Sequence, residues 1–188
     1  MNWIRRTLKE IKTQTKKIFK RQEKIDPSAS LWQTCPNNHI NYKDSLIAQD
    51  WICDKCEYYF DKPVLAIKNT WFLDGGTFIE PPTGLDDDPY GFKTELGSYK
   101  DKLAKARKKE KQWCSIVCYK GVVDQLKVYL LINNFKFLGG AWDNNCAHYF
   151  RKAVDDALEN DCDLFVLILK SGGVSMYHST MGLNSVMG

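Results

Sequence analysis

Trp32-Gln-Thr-Cys35-Pro-Asn-Asn-His39 and Trp51-Ile-Cys53-Asp-Lys-Cys56 are the stretches whose reading decides the fold. Each places two metal-binding side chains close together, and a strand-length insert separates them. Zinc takes four soft or borderline ligands in a tetrahedron, and a closed shell of four protein ligands is structural because no position stays open for substrate. The second pair is a regular Cys-x-x-Cys knuckle. The first is irregular, with Asn38 where a second Cys would stand, and His39 one residue later completes a Cys-x-x-x-His knuckle. Cys35, His39, Cys53 and Cys56 are therefore the expected zinc ligands of a ribbon over 26–60. The competing reading is a degenerate ribbon that has lost its metal and keeps Cys53 and Cys56 as buried thiols.

Outward from the ribbon, the chain is long enough at 188 residues for one moderate core beside a small module. Seven cysteines with ribbon spacing point to a reducing compartment and to metal rather than disulfides. No apolar run approaches the ~20 residues of a membrane span, and the basic start has no separate apolar segment of the kind a secretory leader needs. Charge is uneven. Residues 1–24 hold nine Lys/Arg and two Glu, a net of +7 against +4 for the whole chain, so the remainder is −3.

Ile4, Leu8, Ile11 and Ile18 recur at helical spacing, so residues 1–25 read as a basic amphipathic helix. Its uses remain open: a solvated tether docked on its own protein, a surface for nucleic acid, anionic membrane or a partner, or a presequence. Asp26-Pro-Ser-Ala-Ser30 reads as a linker. After the ribbon, residues 61–188 form the second domain. The pattern predicts a helix over 63–73, a surface loop over 77–92 with a solvated Asp86-Asp87-Asp88 run, and a Lys-rich helix over 97–111. It then predicts strands over 113–119 and 126–132, and a helix over 144–159 with Ala147, Phe150, Val154 and Leu158 inward. Leu164–Leu169 reads as a strand buried on both faces, followed by Ser171-Gly172-Gly173 and a weakly helical segment over 174–187. This order is an α/β signature with a parallel sheet.

Strand, glycine pair, helix has a chemical use. Glycine lets backbone approach a ligand, and free N–H groups there can stabilise developing negative charge. Gly172, Gly173 and the N–H of Val174 stand in that place, with Gly139-Gly140 as a second pair. A tight turn is the plainer explanation for either.

The order of these features resembles the β subunit of bacterial-type acetyl-CoA carboxylase carboxyltransferase. The resemblance is carried by Met1-Asn-Trp-Ile4, Leu31-Trp32, the Cys35…Cys53-Asp-Lys-Cys56 ribbon and Phe72-Leu-Asp-Gly75. It continues in Ser98-Tyr-Lys-Asp-Lys-Leu103, Phe137-Leu-Gly-Gly140, Phe150-Arg-Lys-Ala153, Ala157-Leu-Glu-Asn160, and Ser171-Gly-Gly173 with Met176. It implies a basic N-terminal helix and zinc ribbon followed by part of a crotonase-like (ClpP/crotonase) ββα spiral. It implies carboxyl transfer from biotin on a carrier protein to acetyl-CoA, giving malonyl-CoA for fatty-acid biosynthesis in the cytoplasm or plastid stroma. The implied partners are a carboxyltransferase α subunit and the biotin carboxyl carrier protein, and the implied cofactors are structural Zn2+ and the carrier's biotin. Backbone N–H groups of Gly172 and Gly173 would form the oxyanion hole, with Gly139, Gly140 and Val174 shaping the CoA site. No side-chain base is required, so His148 and His178 are expected at the surface or partly packed.

The chain departs from the family at Asn38, at Ala141-Trp-Asp-Asn-Asn-Cys-Ala147, at Lys170, and at Val174-Ser-Met-Tyr-His178. Trp142 and Asp143 are expected to crowd or charge the CoA approach. The chain stops at Gly188, ahead of the family's remaining spiral, so little activity is expected of it in isolation. Two other functions stand beside the leading one: a catalytically degenerate assembly or regulatory relative, and a nucleic-acid binder built from the ribbon and the basic arm.

Overall fold

The computed structural model describes residues 31–95, 97–178 and 184. The basic helix expected over 1–25 and the linker at 26–30 lie outside them. The chain divides into two compact units, Met1–Lys62 and Pro63–Gly188. Among the described residues no helix is long and apolar enough to cross a membrane.

In the first unit, strands β1 (Trp32–Thr34) and β2 (Ile40–Tyr42) form an antiparallel hairpin, and helix α1 (Lys43–Ala48) follows directly. The insert between the two ligand pairs is thus a strand plus a six-residue helix rather than a strand alone. Leu46 and Trp51 are buried and centre the module, and an isolated bridge joins Ile52 to Tyr59.

The second unit is a mixed α/β layer structure. Its main sheet has the order β3 (Thr77–Phe78), β6 (Ile116–Val123), β7 (Leu126–Asn133), β8 (Leu164–Ile168). The first two pairings are antiparallel and β7–β8 is parallel. The β6–β7 hairpin turns at Asp124-Gln125, both at positive φ (48° and 72°), which matches the right-handed twist of the strands it joins. Gly121 lies inside β6, where a Cβ would stand 2.7 Å from the Phe72 ring. A further short pair, β4 (Lys93–Thr94) and β5 (Gly97–Ser98), leads into α3 (Tyr99–Glu110). Ser98 caps α3 by accepting the Asp101 N–H at 3.1 Å.

Alternation along β7 divides the core. Val128, Leu130 and Ile132 face helix α2 (Val64–Trp71) through Val64, Ile67 and Trp71, with Phe72 beside them. Tyr129 and Leu131 face the other way, toward helix α4 (Asn144–Glu159). This is the strand period of two at work. The buried stripe of α4 is Cys146, Tyr149, Ala153 and Ala157, with Ala147 beside it. That corrects the expected stripe, since Leu158 is 71% exposed. Small alanines let the helix lie close to the sheet, and a leucine there would hold it off.

Strand β8 is also corrected. Among the described residues it is an edge strand, and Leu164 and Leu167 are 42% and 38% exposed rather than buried on both faces. The expected surface loop over 77–92 contains β3, and its acidic run is not simply solvated. Arg107 donates to both Asp87 oxygens at 2.6 Å, and Asn145 Nδ2 donates to Asp87 Oδ1 at 3.1 Å.

Asp156 on α4 accepts from Lys120 Nζ at 2.8 Å and from Tyr129 Oη at 2.6 Å. The Lys120 bond, then the Tyr129 bond, hold its carboxyl below the ordinary 3.8. A depressed folded value contributes stability that is full above 3.8 and is lost as pH falls through the folded value. Asp156→Asn should therefore lower Tm at neutral pH, and the gap from wild type should close on acidification below pH 3.8. Thermal melts of both proteins across that range check this. A gap independent of pH would contradict it.

Candidate metal centre and glycine-turn site

The first unit brings together all four expected ligands. The donor atoms of Cys35, His39, Cys53 and Cys56 lie within 4.8 Å of one another. Cys35 Sγ is 3.7 Å from Cys56 Sγ, and Cys53 Sγ is 3.8 Å from His39 Nδ1. Ligand bonds of about 2.3 Å (S) and about 2.0 Å (N) give tetrahedral edges of roughly 3.8 and 3.5 Å. The donor set therefore fits zinc in both chemistry and spacing.

Local backbone explains the irregular knuckle. Asn38 sits at φ 61°, a left-handed position that Asn tolerates better than most residues. Its N–H donates to Cys35 O at 2.9 Å, and Cys35 N–H donates to His39 O at 3.0 Å. Asn38 is the hinge that delivers His39, not a lost ligand. In the second knuckle Glu57 N–H donates to Cys53 O at 2.9 Å. Burial pushes the Cys53 thiol up, but the N–H groups of Lys55 and Cys56 and the Cys56 and Asn41 side chains outweigh it and bring it to about 6. A thiolate at neutral pH is the form that binds metal.

In the second unit the two glycine pairs lie side by side. The first occupies a 3-10 turn, Leu138–Gly140, between β7 and α4. Gly172 N–H donates to Gly139 O at 2.9 Å, and Ser171 Oγ donates to Gly140 O at 2.6 Å. Trp142 N–H donates to Gly173 O at 2.9 Å, and Ser175 N–H donates to Trp142 O at 2.8 Å, forming a parallel bridge between Trp142 and Val174. Gly140 permits the approach, since a Cβ there would stand 2.3 Å from Lys170 O at a φ of +65°.

Two details bear on the expected oxyanion hole. Gly172 N–H is committed to Gly139, and Gly173 N–H donates to Ser171 Oγ at 3.0 Å. In a parallel bridge of this pattern the N–H of Val174 is directed away from Trp142. The helix expected from about 174 does not start there, because Val174 is in the bridge and 176–178 form a turn. The rest of that expected helix falls mainly outside the described residues.

Beside the joined turns is a cavity of about 370 Å³. Val174, Leu138 and Met176 give it an apolar wall, and Tyr99, Lys102 and Asp143 bring polar atoms. Gly139, Gly140, Gly172 and Gly173 are not among its lining residues; they form the join next to it. Trp142 is not among them either, contrary to expectation, and packs against Phe150 at 5.8 Å. Asp143 does line the cavity, with both oxygens committed: Oδ1 accepts Cys146 N–H at 2.8 Å as the cap of α4, and Oδ2 accepts Tyr99 Oη at 2.6 Å. Burial, then the Asp143 charge, push the Tyr99 hydroxyl well above its ordinary value.

His178 is also corrected. It is 1% exposed, and its Nδ1 accepts the Asn144 N–H at 3.1 Å, which leaves the proton on Nε2. His148 is half-buried, as expected. Sequence reading missed Asn133, which ties the two turns: its Nδ2 donates to Gly140 O at 3.3 Å, and its Oδ1 accepts Lys170 N–H at 3.2 Å. A buried Asn ending an apolar strand was the available signal. It also missed Tyr99, Lys102 and Tyr177, which sit on segments that read only as a charged helix and a tail.

A metal-type ribbon and a mixed α/β unit with paired glycine turns define the class within which relatives fall. The chain is similar to carboxyltransferase β subunits. It is 29% identical over 170 residues to the acetyl-coenzyme A carboxylase carboxyl transferase subunit beta of Wolinella succinogenes, spanning 89% of this chain and 58% of that protein. The resemblance read from the sequence is thus shown, and the chain spans under two thirds of this relative's length. No protein-family model matches the chain. Among solved structures, the MdcD-MdcE heterodimer of a Pseudomonas malonate decarboxylase aligns at 20% identity and a TM-score of 0.40, covering 64% of this chain and 41% of that one. A transcarboxylase 12S structure with methylmalonyl-coenzyme A aligns at 18% and 0.35, covering 38% and 14%. At such scores neither likeness bears on function.

Proposed function

We propose that the chain is a carboxyltransferase β-type subunit that helps move a carboxyl group from biotin on a carrier protein to acetyl-CoA, giving malonyl-CoA for fatty-acid synthesis. The observation that carries this reading is the 29% identity, which extends through the ribbon and the first glycine turn. On it, the second unit is part of a crotonase-like spiral, the ribbon holds structural zinc, and the partners are an α-type subunit and a biotin carrier in cytoplasm or stroma.

The chemistry asks little of side chains. The methyl carbon beside the thioester would lose a proton to the ureido nitrogen that biotin frees when its N–C bond to the carboxyl group breaks, the carbon's electron pair would form the new C–C bond to that carboxyl carbon, and in between charge would rest on the thioester oxygen. Preorganised N–H donors stabilise that oxygen, and losing one such donor costs roughly 10²–10³ in rate. The corner at Gly172, Gly173 and Val174 supplies them. Because Gly172 N–H bonds to Gly139 O, its part is to join the turns. Gly173, whose hydroxyl partner can rotate away, and Val174 are the donors. Gly139 and Gly140 shape the site from the facing turn. Biotin supplies the activated carboxyl group.

A second reading, a catalytically degenerate relative, is favoured by the committed Gly172 N–H and by a carboxylate, Asp143, on the cavity wall. One assay separates them. The chain is mixed with an α-type subunit, carboxylated carrier and acetyl-CoA. Malonyl-CoA should form, and its absence with a folded, zinc-loaded chain selects the second reading.

A further inference from the structure

We propose that Lys102 sets the acyl specificity of this site by binding the carboxylate of a malonyl-type thioester, which makes the cavity selective for carboxylated over neutral acyl groups. The inference rests on the carboxyltransferase reading and adds to it a residue and a preference.

Lys102 projects from α3 to the cavity. Its ammonium contacts the Tyr177 hydroxyl at 2.8 Å and lies 5.3 Å from the centre of that ring. Tyr177 is itself fixed. Its ring stacks on Tyr99 at 4.5 Å and 26°, and meets Phe92 edge-on at 5.0 Å. The cation is therefore held in place by neutral partners, a phenol and a π-face. Neither neutralises its charge, which stays available to an anion. The carboxylate lining the same cavity is Asp143. Both of its oxygens already accept hydrogen bonds from Tyr99 and from the start of α4, and the positive end of that helix offsets its charge.

Geometry supplies the rest. A cavity of 370 Å³ is about 9 Å across if round, so Val174 and Lys102 share one small space. Carboxyl transfer to an acetyl thioester places a carboxylate two bonds from the thioester carbon. With the thioester oxygen at Val174, a carboxylate two bonds away is within reach of the cavity that Val174 lines, where Lys102 is the lining cation among the described residues.

The test is calorimetric titration of malonyl-CoA and acetyl-CoA into the full chain, wild type, Lys102→Met and Lys102→Arg, with melts to confirm that each variant folds. Wild type should bind malonyl-CoA roughly tenfold tighter than acetyl-CoA, the gain of one charge-assisted hydrogen bond. The ratio should fall to about one in Lys102→Met, which keeps the aliphatic stem, and recover in Lys102→Arg. A wild-type ratio near one, or a preference that survives Lys102→Met, overturns the assignment while leaving the carboxyltransferase reading intact. If neither thioester binds wild type, the carboxyltransferase reading itself fails and the assignment with it.

Discussion

Replacing Cys53 with Ala should take zinc from about one ion per chain to almost none, as read by metal analysis of the purified protein. The effect is large because the module has little else to hold it. Cys35, Leu46, Trp51 and Cys53 are its buried hydrophobic side chains among the described residues, too few for an independent core. Metal binding then supplies most of its folding free energy, which for small zinc modules is about 10–16 kcal/mol at neutral pH. The ribbon's own signals should collapse in the variant. His39→Cys, which keeps a four-ligand shell, should retain the ion. Acid should mimic the mutation. Protons compete with zinc for the Cys thiolates, so the bound ion should be released as pH falls. A wild-type chain purified without zinc would return the ribbon to its degenerate reading, and zinc retained in full by Cys53→Ala would strike Cys53 from the ligand set.

The second large effect is expected at Asp143→Ala. That change removes the cap of a 16-residue helix and strands the Tyr99 hydroxyl, whose residue is 1% exposed. Losing a cap costs about 0.5–2 kcal/mol, and leaving a buried hydroxyl unpaired costs about 1–3 kcal/mol. Together they predict a loss of about 1.5–5 kcal/mol, measured by urea denaturation. Asp143→Asn, whose Oδ1 still caps α4 and whose Nδ2 can donate to the Tyr99 hydroxyl oxygen, should cost under about 1.5 kcal/mol. Equal losses in the two variants would show that bulk packing, rather than these two bonds, is at stake.

Much of this was legible in the chain itself. The knuckles announced the cluster of Cys35, His39, Cys53 and Cys56 because metal chemistry tolerates few residue types at few spacings. The helix at 64–71 follows from Pro63 before it and that at 144–159 from its apolar spacing, whereas the caps Ser98 and Asp143 show only in the structure. What escaped depends on partners distant in sequence. The stripe of α4 was misplaced because alanines that approach a sheet carry less hydrophobic signal than Leu158, which turned out to face water. The run at 164–168 read as doubly buried because its residues are apolar on both faces, yet burial is set by which strands pair, and β8 has a partner on one side only among the described residues. Asp87 read as solvated because nothing local announces Arg107, twenty residues on. Lys102 and Tyr177 meet across 75 residues, and no local pattern encodes that.

The most direct test of the central claim, that the Gly173–Val174 corner polarises an acyl thioester, is the carbon-13 spectrum of acetyl-CoA labelled at the carbonyl and bound to the full chain. Hydrogen bonds to the carbonyl oxygen draw electron density from the carbon, so the resonance should move downfield on binding. A bound thioester whose carbonyl resonance stays where it is in water would contradict the account.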